Sequence, residues 1–546
     1  MAKRMGLAFL AMLLVLPVVL LAGCFRDDSG GEEPQRLTLT LSYPTGNKPR
    51  ERNAEMIKEM LAEIGIEVVL EAKEINALAA QLFEERNFDL YLLGWSLGLE
   101  PDPTGIWLSS AAWNAVGFDH PDNDRLIRAG RATLDQEERY AIYQQWQQLL
   151  VDEAPYVFLY AEKEAWAANP RLKNFRPDSF GLFWDVWDWK VTDGDNQVVI
   201  AIWSKPQGLF NDNLAESTYD AYSYAPVFAG LMRFDPDNNY KLIPELAESM
   251  EISKDNKVIT FTLRDDIYFH DGEKVTAEDV KWTFEWMCHP DYTGVRASMW
   301  SFIEGFAEFN SGAADELSGI EIVDERTVKF HLSQVDAPSL TSIAVWSISP
   351  KHVFEGTEVA DLEHHPAISA PIGAGPYKFV RYEEGQFTEL EAYENFHRGK
   401  PALEKIIVKV AAADAAQAEL ISGQTDIARV QPIPEELALF ERNGLRIYEM
   451  AANSYQYMGM NLHHPILSDV RVRRAITHAL DRWAMVENLF DGMAIVQTSH
   501  MSSVSWAYDP TIKPLPFDQE KAAQLLDEAG WKLGKDGFRY YHPEGK

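Results

Sequence analysis

From Arg36 onward the apolar residues of this chain switch between a period of two and a period near 3.6, and the switching predicts alternating strands and helices. Leu37, Leu39 and Leu41, separated by Thr38 and Thr40, form a strand pattern. Ile57, Met60, Leu61 and Ile64 share one helical face that Gly65 stops, and Ile66 to Leu70 reads as the next strand. Ile75 to Phe83 predicts a second helix, and the apolar run Phe88 to Leu93 a third strand that ends at Gly94-Trp95. Such βαβαβ order implies a mainly parallel sheet with helices on its faces, whose ligands bind beyond the carboxyl ends of the strands. Gly94, Trp95 and Ser96 lie at such an end. The loop behind them, Leu99 to Gly105, has turn chemistry and two carboxylates, Glu100 and Asp102.

Further along, residues 124 to 150 read as helices and Phe158-Leu159-Tyr160 as a short strand. A tryptophan-rich crossing, Phe183 to Trp189, precedes a polar break at 193–196, after which Gln197 to Trp203 starts a new strand. A β-rich region follows, with Val258 to Leu263 alternating toward Asp271-Gly272. Thr276 with Asp279 three residues on predicts a capped helix whose Val280, Thr283, Phe284 and Met287 share a face. Gly373 to Tyr377 opens another strand region. Val472, Ala475, Ile476, Ala479 and Leu480 define one more helix, and Ala522, Leu525, Leu526 and Ala529 another that Gly530 stops. No internal repeat is visible at a period of 20 to 50 residues.

One stretch breaks this pattern. Lys3 and Arg4 precede an uninterrupted apolar run, Met5 to Ala22, that closes on Leu21-Ala22-Gly23-Cys24. Basic residues, an apolar run and small residues before a cysteine read as a bacterial lipoprotein export signal rather than a folded element. A retained membrane span is the competing reading, and Pro17 with the Gly-Cys pair favours cleavage. Residues 1–23 are thus read as a signal peptide, Cys24 as the lipidated residue, and 24–35 as a polar tether. The body that follows is expected outside the cytoplasm, anchored to the cell membrane.

Composition narrows the picture. Hydrophobic residues make up 46% of the chain and charged ones 25%, the balance of a large globular body. A formal charge of -34 opposes phosphate binding, which excludes nucleic acid as a partner. With Cys24 lipidated, Cys288 has no disulfide partner, and beside His289 it reads as a small core residue. Neither G-x-x-x-x-G-K-[ST], H-E-x-x-H nor G-x-S-x-G occurs, which weakens an enzyme reading. Asp235 to Asn239 imitates the start of a calcium loop but lacks its glycine and terminal glutamate, so it reads as a turn. His364-His365 and His463-His464 read as loop histidines, and Arg471, Arg473 and Arg474 as a surface face. No metal or cofactor is expected. Sixteen Trp and 21 Tyr are mostly core, with Trp95 the exception that the strand-end position singles out.

Several motifs together resemble the extracytoplasmic oligopeptide- and dipeptide-binding lipoproteins of ABC importers, solute-binding family 5. They are Leu242 to Ser249, Leu263-Arg264-Asp265 with Phe269 to Gly272, Thr276 to Val280, Gly373 to Tyr377, Asp469 to Arg482, Ala523 to Trp531, Gly94-Trp95 with Pro101-Asp102-Pro103, and Asp152 to Pro155. Their order differs from the family's: the part that normally comes last occupies 36 to about 196, so the chain resembles a circularly permuted member. Phe538 to Tyr541 then has its hairpin partner in Arg36 to Leu41. The resemblance implies an α/β, two-lobe, type II periplasmic-binding-protein-like fold with an extra β-rich subdomain. One lobe would comprise 164–452 and the other 36–163 with 453–546.

Further implications are an oligopeptide ligand, the membrane subunits of an ABC importer as partners, a monomeric state and no chemistry on the ligand. The residues it points to are Gly94, Trp95 and Ser96, Lys205 to Leu209 including Gln207, and Asn453 to Tyr457 including Tyr455. Some relatives hold the peptide amine with an acid shortly after the Gly-Trp pair; Gly98 stands near that place here, with Glu100 and Asp102 as substitutes. A carrier for an oligosaccharide or metal complex, an exported hydrolase, and a sensor or chaperone are the alternatives.

Overall fold

The computed structural model describes residues 35–193 and 195–542, so the apolar leader and Cys24 lie outside the described residues. Strands β1 (Thr38–Pro44) and β2 (Glu67–Lys73) pair in parallel at all seven positions, from Thr38↔Glu67 to Pro44↔Lys73. Helix α1 (Lys48–Glu63) makes the crossover: Asn47 caps it by accepting from the Arg50 amide, Pro49 pre-sets its first turn, and Ala54, Ile57 and Leu61 are buried. Gly65 then turns the chain at φ +84°, where a Cβ would sit 2.8 Å from Leu533 Cδ1.

The next crossover departs from the predicted single helix. It is α-helical over Ile75–Ala79 and widens to π winding over Ala80–Glu85, with Arg86 at φ 53° ending it. The wider turn keeps Leu78 and Leu82 buried while the Gln81 side chain donates to Asn87 O (2.9 Å). Strand β3 (Leu90–Ser96) follows. Helices α2 (Pro121–Ala132) and α3 (Gln136–Glu153) lead into β4 (Tyr156–Ala168).

Strand β4 is thirteen residues long, where the apolar pattern predicts a short strand at 158–160. Glu162-Lys163-Glu164 interrupts the pattern at midstrand without ending it. The remaining strands of the sheet's centre are β5 (Gln197–Ile202), β6 (Ile427–Val430) and β7 (Ser454–Met460). The first half of β4 pairs with β7 (Tyr156↔Gly459) and its second half with β6 (Ala165↔Val430), so one strand serves both halves of a twelve-stranded sheet. Its centre runs β5-β6-β4-β7-β3-β1-β2, with three further strands beyond β5.

Each half carries its own cores. Leu39, Ile57, Leu90, Leu92 and Met458 fill one face of the β1–β3 half, and Tyr91, Trp107, Trp146, Tyr455 and Tyr457 the other. In the β5 half, Val198, Ile200, Ile406 and Trp189 pack together. The tryptophan-rich segment forms part of this half's wall: Val186–Asp188 is a single 3-10 turn and Trp189 is fully buried. The chain passes between halves at mid-β4 and at 452–453, between the strand Arg446–Ala451 and β7, both paired to β4.

A four-stranded antiparallel sheet forms a separate β-rich body. Helix α4 (Ala277–Cys288) packs on it, opened by the predicted capping box of Thr276 and Asp279. Cys288 lies in its core, where burial pushes the thiol up and keeps it protonated. Helix α5 (Ala337–Val345) closes this body, and α6 (Val470–Ala479) and α7 (Gln519–Glu528) cover the β1–β3 half, both where the apolar spacing placed them. One expectation for α6 fails: Arg473 is buried, donating to the carbonyls of Glu153, Leu467 and Ser468, so it belongs to the interior rather than to a surface face. The strand Arg539–Tyr541 pairs with Trp531–Leu533, and its other edge meets the chain before β1: Leu37 N donates to Arg539 O (2.8 Å) and Tyr541 N to Gln35 O (2.9 Å). Among the described residues no helix is long and apolar enough to cross a membrane.

Candidate functional site

The carboxyl end of β3 is paired on one side and open on the other. Strand β7 accompanies β3 along its whole length, from Ser454↔Ser96 to Met460↔Leu90, whereas β1 pairs with it only at Leu41↔Leu90 and Ser42↔Tyr91. Leu97 N donates to Asn453 O (2.8 Å), which fixes the phase of the ladder. Trp95 and Leu93 therefore exchange hydrogen bonds with Tyr455 and Tyr457, while Gly94 and Ser96 aim their N–H and C=O groups at the open side. Gly94 is half-buried there and Ser96 exposed. An unpaired strip of strand beside the sheet's midline is a template for an added strand.

The pleat gives this strip two different faces. On the Gly94 face the Arg50 guanidinium donates Nε–H to Gln456 Oε1 (3.0 Å), and a Cβ on Gly94 would lie 2.9 Å from Arg50 Nη2. Burial draws the Arg50 pKa below the ordinary arginine value and raises that of nearby Glu162, each opposed by the other's charge. On the Trp95 face the indole stacks on Tyr457 (6.2 Å, 8°) and meets Trp113 edge-on (5.9 Å, 81°). Trp113 is half exposed and touches Phe83 at 4.9 Å, so the aromatic row runs from core to solvent.

The sequence-derived residues divide. Gly94, Trp95, Ser96, Asn453, Tyr455 and Tyr457 come together on adjacent strands. Tyr455 and Tyr457 are fully buried, so their rings shape the strip from behind and offer a ligand no surface. Their hydroxyl pKa values are raised by burial. Asn453 clamps the loop, donating to Leu97 O (2.8 Å) and Gly98 O (2.9 Å). Glu100 and Asp102 lie beyond it, and both already hold arginines: Glu100 pairs with Arg139, and Asp102 accepts from Arg131 Nη1 (2.8 Å) and the Thr104 amide (3.0 Å). Neither is a free acceptor for an ammonium group.

Lys205, Gln207 and Leu209 are not joined to this strip. The amides of Gln207, Gly208 and Leu209 converge on the buried Asp220 carboxylate at 3.1, 2.8 and 3.1 Å. Lys205 pairs with Glu384 in solvent (2.6 Å). Leu209 is half-buried against the neighbouring core. Residues the pattern reading missed are Arg50 and Trp113, while Gln456 falls within the stretch Asn453 to Tyr457; the Asn47-x-Pro49 helix start was the available signal for Arg50 in a first turn at the strand ends. A depression of about 420 Å³ at the carboxyl ends of β5 and β6 adds Trp203, Arg429 and Glu164, with Arg429 over the Trp203 ring (5.5 Å) and 3.1 Å from Glu164. Among the described residues no group of histidines, cysteines and carboxylates is arranged to hold a metal. His364 and His365 sit at the end of a 3-10 turn, and His463 and His464 in a turn after β7.

An α/β sheet shared by two halves, an appended β-rich body and an open strand edge at the carboxyl ends define a type II periplasmic-binding fold, a class that captures solutes rather than transforming them. Residues 21–116 and 241–546 match the family described as Bacterial extracellular solute-binding proteins, family 5 Middle, and the chain belongs to that family. The oligopeptide-binding protein AppA of Bacillus subtilis is 31% identical over 325 residues, 58% of this chain and 57% of AppA. The dipeptide-binding protein of Escherichia coli is 27% identical over 343 residues, 60% and 62% of the two chains. The matched stretches thus span about three fifths of those relatives' own lengths. Among solved structures, HbpA2 from Haemophilus parasuis shares the fold at a TM-score of 0.50 and 24% identity, over 62% of this chain and 68% of that one.

Proposed function

We propose that this chain is the lipid-anchored, extracytoplasmic binding component of an importer, capturing an extended oligopeptide for delivery to membrane subunits of the ABC type. The observation that carries this reading is the open edge of β3, where Gly94 and Ser96 present unpaired backbone groups at the strand ends of a solute-binding fold. Main-chain pairing there gives affinity that does not depend on ligand side chains. Membership of family 5 and the printed functions of the peptide-binding relatives support it. The ligand lies between a lobe of 36–163 with 453–546 and a lobe of 164–452, which bend about the two passages beside β4. Cys24 carries the anchor, and the protein acts as a monomer.

The segment order is a permutation of the family's, a reading supported by the hydrogen bonds of Leu37 with Arg539 and of Gln35 with Tyr541. Native mass spectrometry of the purified protein with a random peptide pool, followed by tryptophan fluorescence on the species retained, tests the function. Intact peptides are expected to leave on denaturation; cleaved products, or no retained peptide, overturn the reading. A chain reordered to begin at Gln197, with Tyr541 joined to Gln35 through a two-residue turn, is expected to fold and retain the same peptides; a reordered chain that folds but binds none refutes the equivalence of the two orders.

A further inference from the structure

We propose that Arg131 and Arg139 are positioning residues that latch the ligand-edge loop 97–104 to helix α5 of the β-rich body, so that closure of this protein involves that body as well as the two sheet halves. The proposal rests on the reading of the β3 edge as the ligand strip. The loop leaves Ser96 and within six residues places two carboxylates, Glu100 and Asp102, each held by an arginine from the α2–α3 corner.

Arg131 serves both sides of the interface at once. Its Nη1 donates to Asp102 Oδ2 (2.8 Å) and Thr104 Oγ1 (3.1 Å), while Nε and Nη2 grip the two oxygens of Asp336, the latter at 3.1 Å. Asp336 is wholly buried and caps α5, accepting from the Ser339 amide (3.2 Å). Arg139, eight residues on, reaches α5 only through its carboxylate partner. It pairs with Glu100 Oε1, whose Oε2 accepts from Thr341 Oγ1 on α5 (3.2 Å). Gly130 O (3.0 Å) fixes Arg139, and its guanidinium lies over the Trp506 ring at 5.1 Å. Between the two arginines Leu134 packs against the β-rich core, and Gln136 Nε2 donates to Asn239 O (2.8 Å).

Both bridges have a loop carboxylate on one side and α5 on the other, so separating α5 from the α2–α3 corner breaks them together. A bidentate arginine is the geometry that satisfies a buried carboxylate, and its loss strands the Asp336 charge. A half-open depression of about 590 Å³ lies beside the latch, lined by Asp102, Arg131, Met299, Phe302 and Ser342. On the reading of β3 as the ligand strip, a ligand strand there would end where this loop begins, so a freed loop is expected to let it leave faster.

Hydrogen exchange on the full chain in detergent, without and with a random pentapeptide pool, tests this. In Arg131→Met and, separately, Arg139→Met, exchange is expected to rise about tenfold or more both at 97–104 and at 336–342, with α6 and α7 unchanged. Pool peptides are expected to dissociate about tenfold faster with their association rate unchanged, and Arg131→Lys, which keeps the charge, to restore part of the protection. Unchanged exchange at 336–342 in both single variants, or wild-type dissociation of bound pool peptides, overturns the latch. Raised exchange in both segments of a protein that binds no peptide supports the latch and defeats the peptide reading, so the two fail separately.

Discussion

Replacing Gly94 by alanine separates the strip's two properties, foldedness and ligand approach. The new Cβ would stand 2.8 Å from Gln456 Oε1, 2.9 Å from Gln456 Nε2 and 2.9 Å from Arg50 Nη2, each short of van der Waals contact. All three atoms end flexible side chains, so β3 keeps its place while Arg50 and Gln456 withdraw. The loss is their 3.0 Å hydrogen bond, a charged one worth about 1.5–3 kcal/mol, less about 0.4–1 kcal/mol regained from the stiffer unfolded chain. Net destabilisation is then about 1–2 kcal/mol, a small Tm shift in a protein of this size. Ligand loses more. The methyl and the displaced guanidinium crowd the open edge, and losing one backbone hydrogen bond costs about 1–1.5 kcal/mol, near tenfold in Kd. Thermal melts beside fluorescence titration with peptide recovered from the purified protein measure both. A Kd within twofold of wild type, with the melt shifted as calculated, refutes the open edge as the binding strip.

Three other outcomes follow from the same geometry. His500, wholly buried among aromatic rings and accepting from or donating to the Tyr455 hydroxyl, is held down to about 3, and His270 to about 4 by burial. Unfolded histidine takes up a proton below ~6.5 while these stay neutral, so stability falls as pH drops from ~6.5 to ~4.5, by about 2–3 kcal/mol for each; urea midpoints at the two pH values check this, and His500→Gln is expected to flatten the slope. Gly459→Ala drives a Cβ to 2.3 Å from the buried Tyr91 ring, at a cost of about 2–3 kcal/mol visible as a lowered Tm. Asp220→Ala releases the Gln207, Gly208 and Leu209 amides and is expected to lose about 2–4 kcal/mol in denaturant titration, with peptide affinity unchanged because that loop stands apart from the strip.

What the pattern conveys depends on how far apart the interacting residues lie. The βαβαβ order is legible because each element is set by neighbours within a few residues, as with the Asn47 cap and the Thr276–Asp279 box. Gly94 to Ser96 is legible for the same reason: strand ends in a parallel sheet are where ligands bind. Strand β4 is misread because Glu162-Lys163-Glu164 mimics a strand end, whereas these charges mark the place where the strand leaves one core for another. The roles of Glu100 and Asp102 are hidden because their arginines stand 39 and 29 residues along the chain, and Thr341, which also donates to Glu100, lies 241 residues away across the interface. Tyr455 and Tyr457 carry a pattern equal to that of a ligand wall, and only packing, of Tyr457 on Trp95 and Tyr156 and of Tyr455 on Phe158 and His500, makes them core.

The continuity of β4 has a mechanical meaning. Two bodies joined by a loop move as beads on a string, with a freely variable angle between them. Two bodies that share one hydrogen-bonded strand move as arms of a leaf spring, because a ladder absorbs bending as twist spread over several residues and returns it elastically. The charged midpoint, half-buried Glu162, Lys163 and Glu164 between two dry stretches, is where that spring is thinnest. In the proposed two-lobe motion, opening would have a preferred direction and a restoring force, and the two halves, each missing an interior strand without β4, are expected to melt as one cooperative unit.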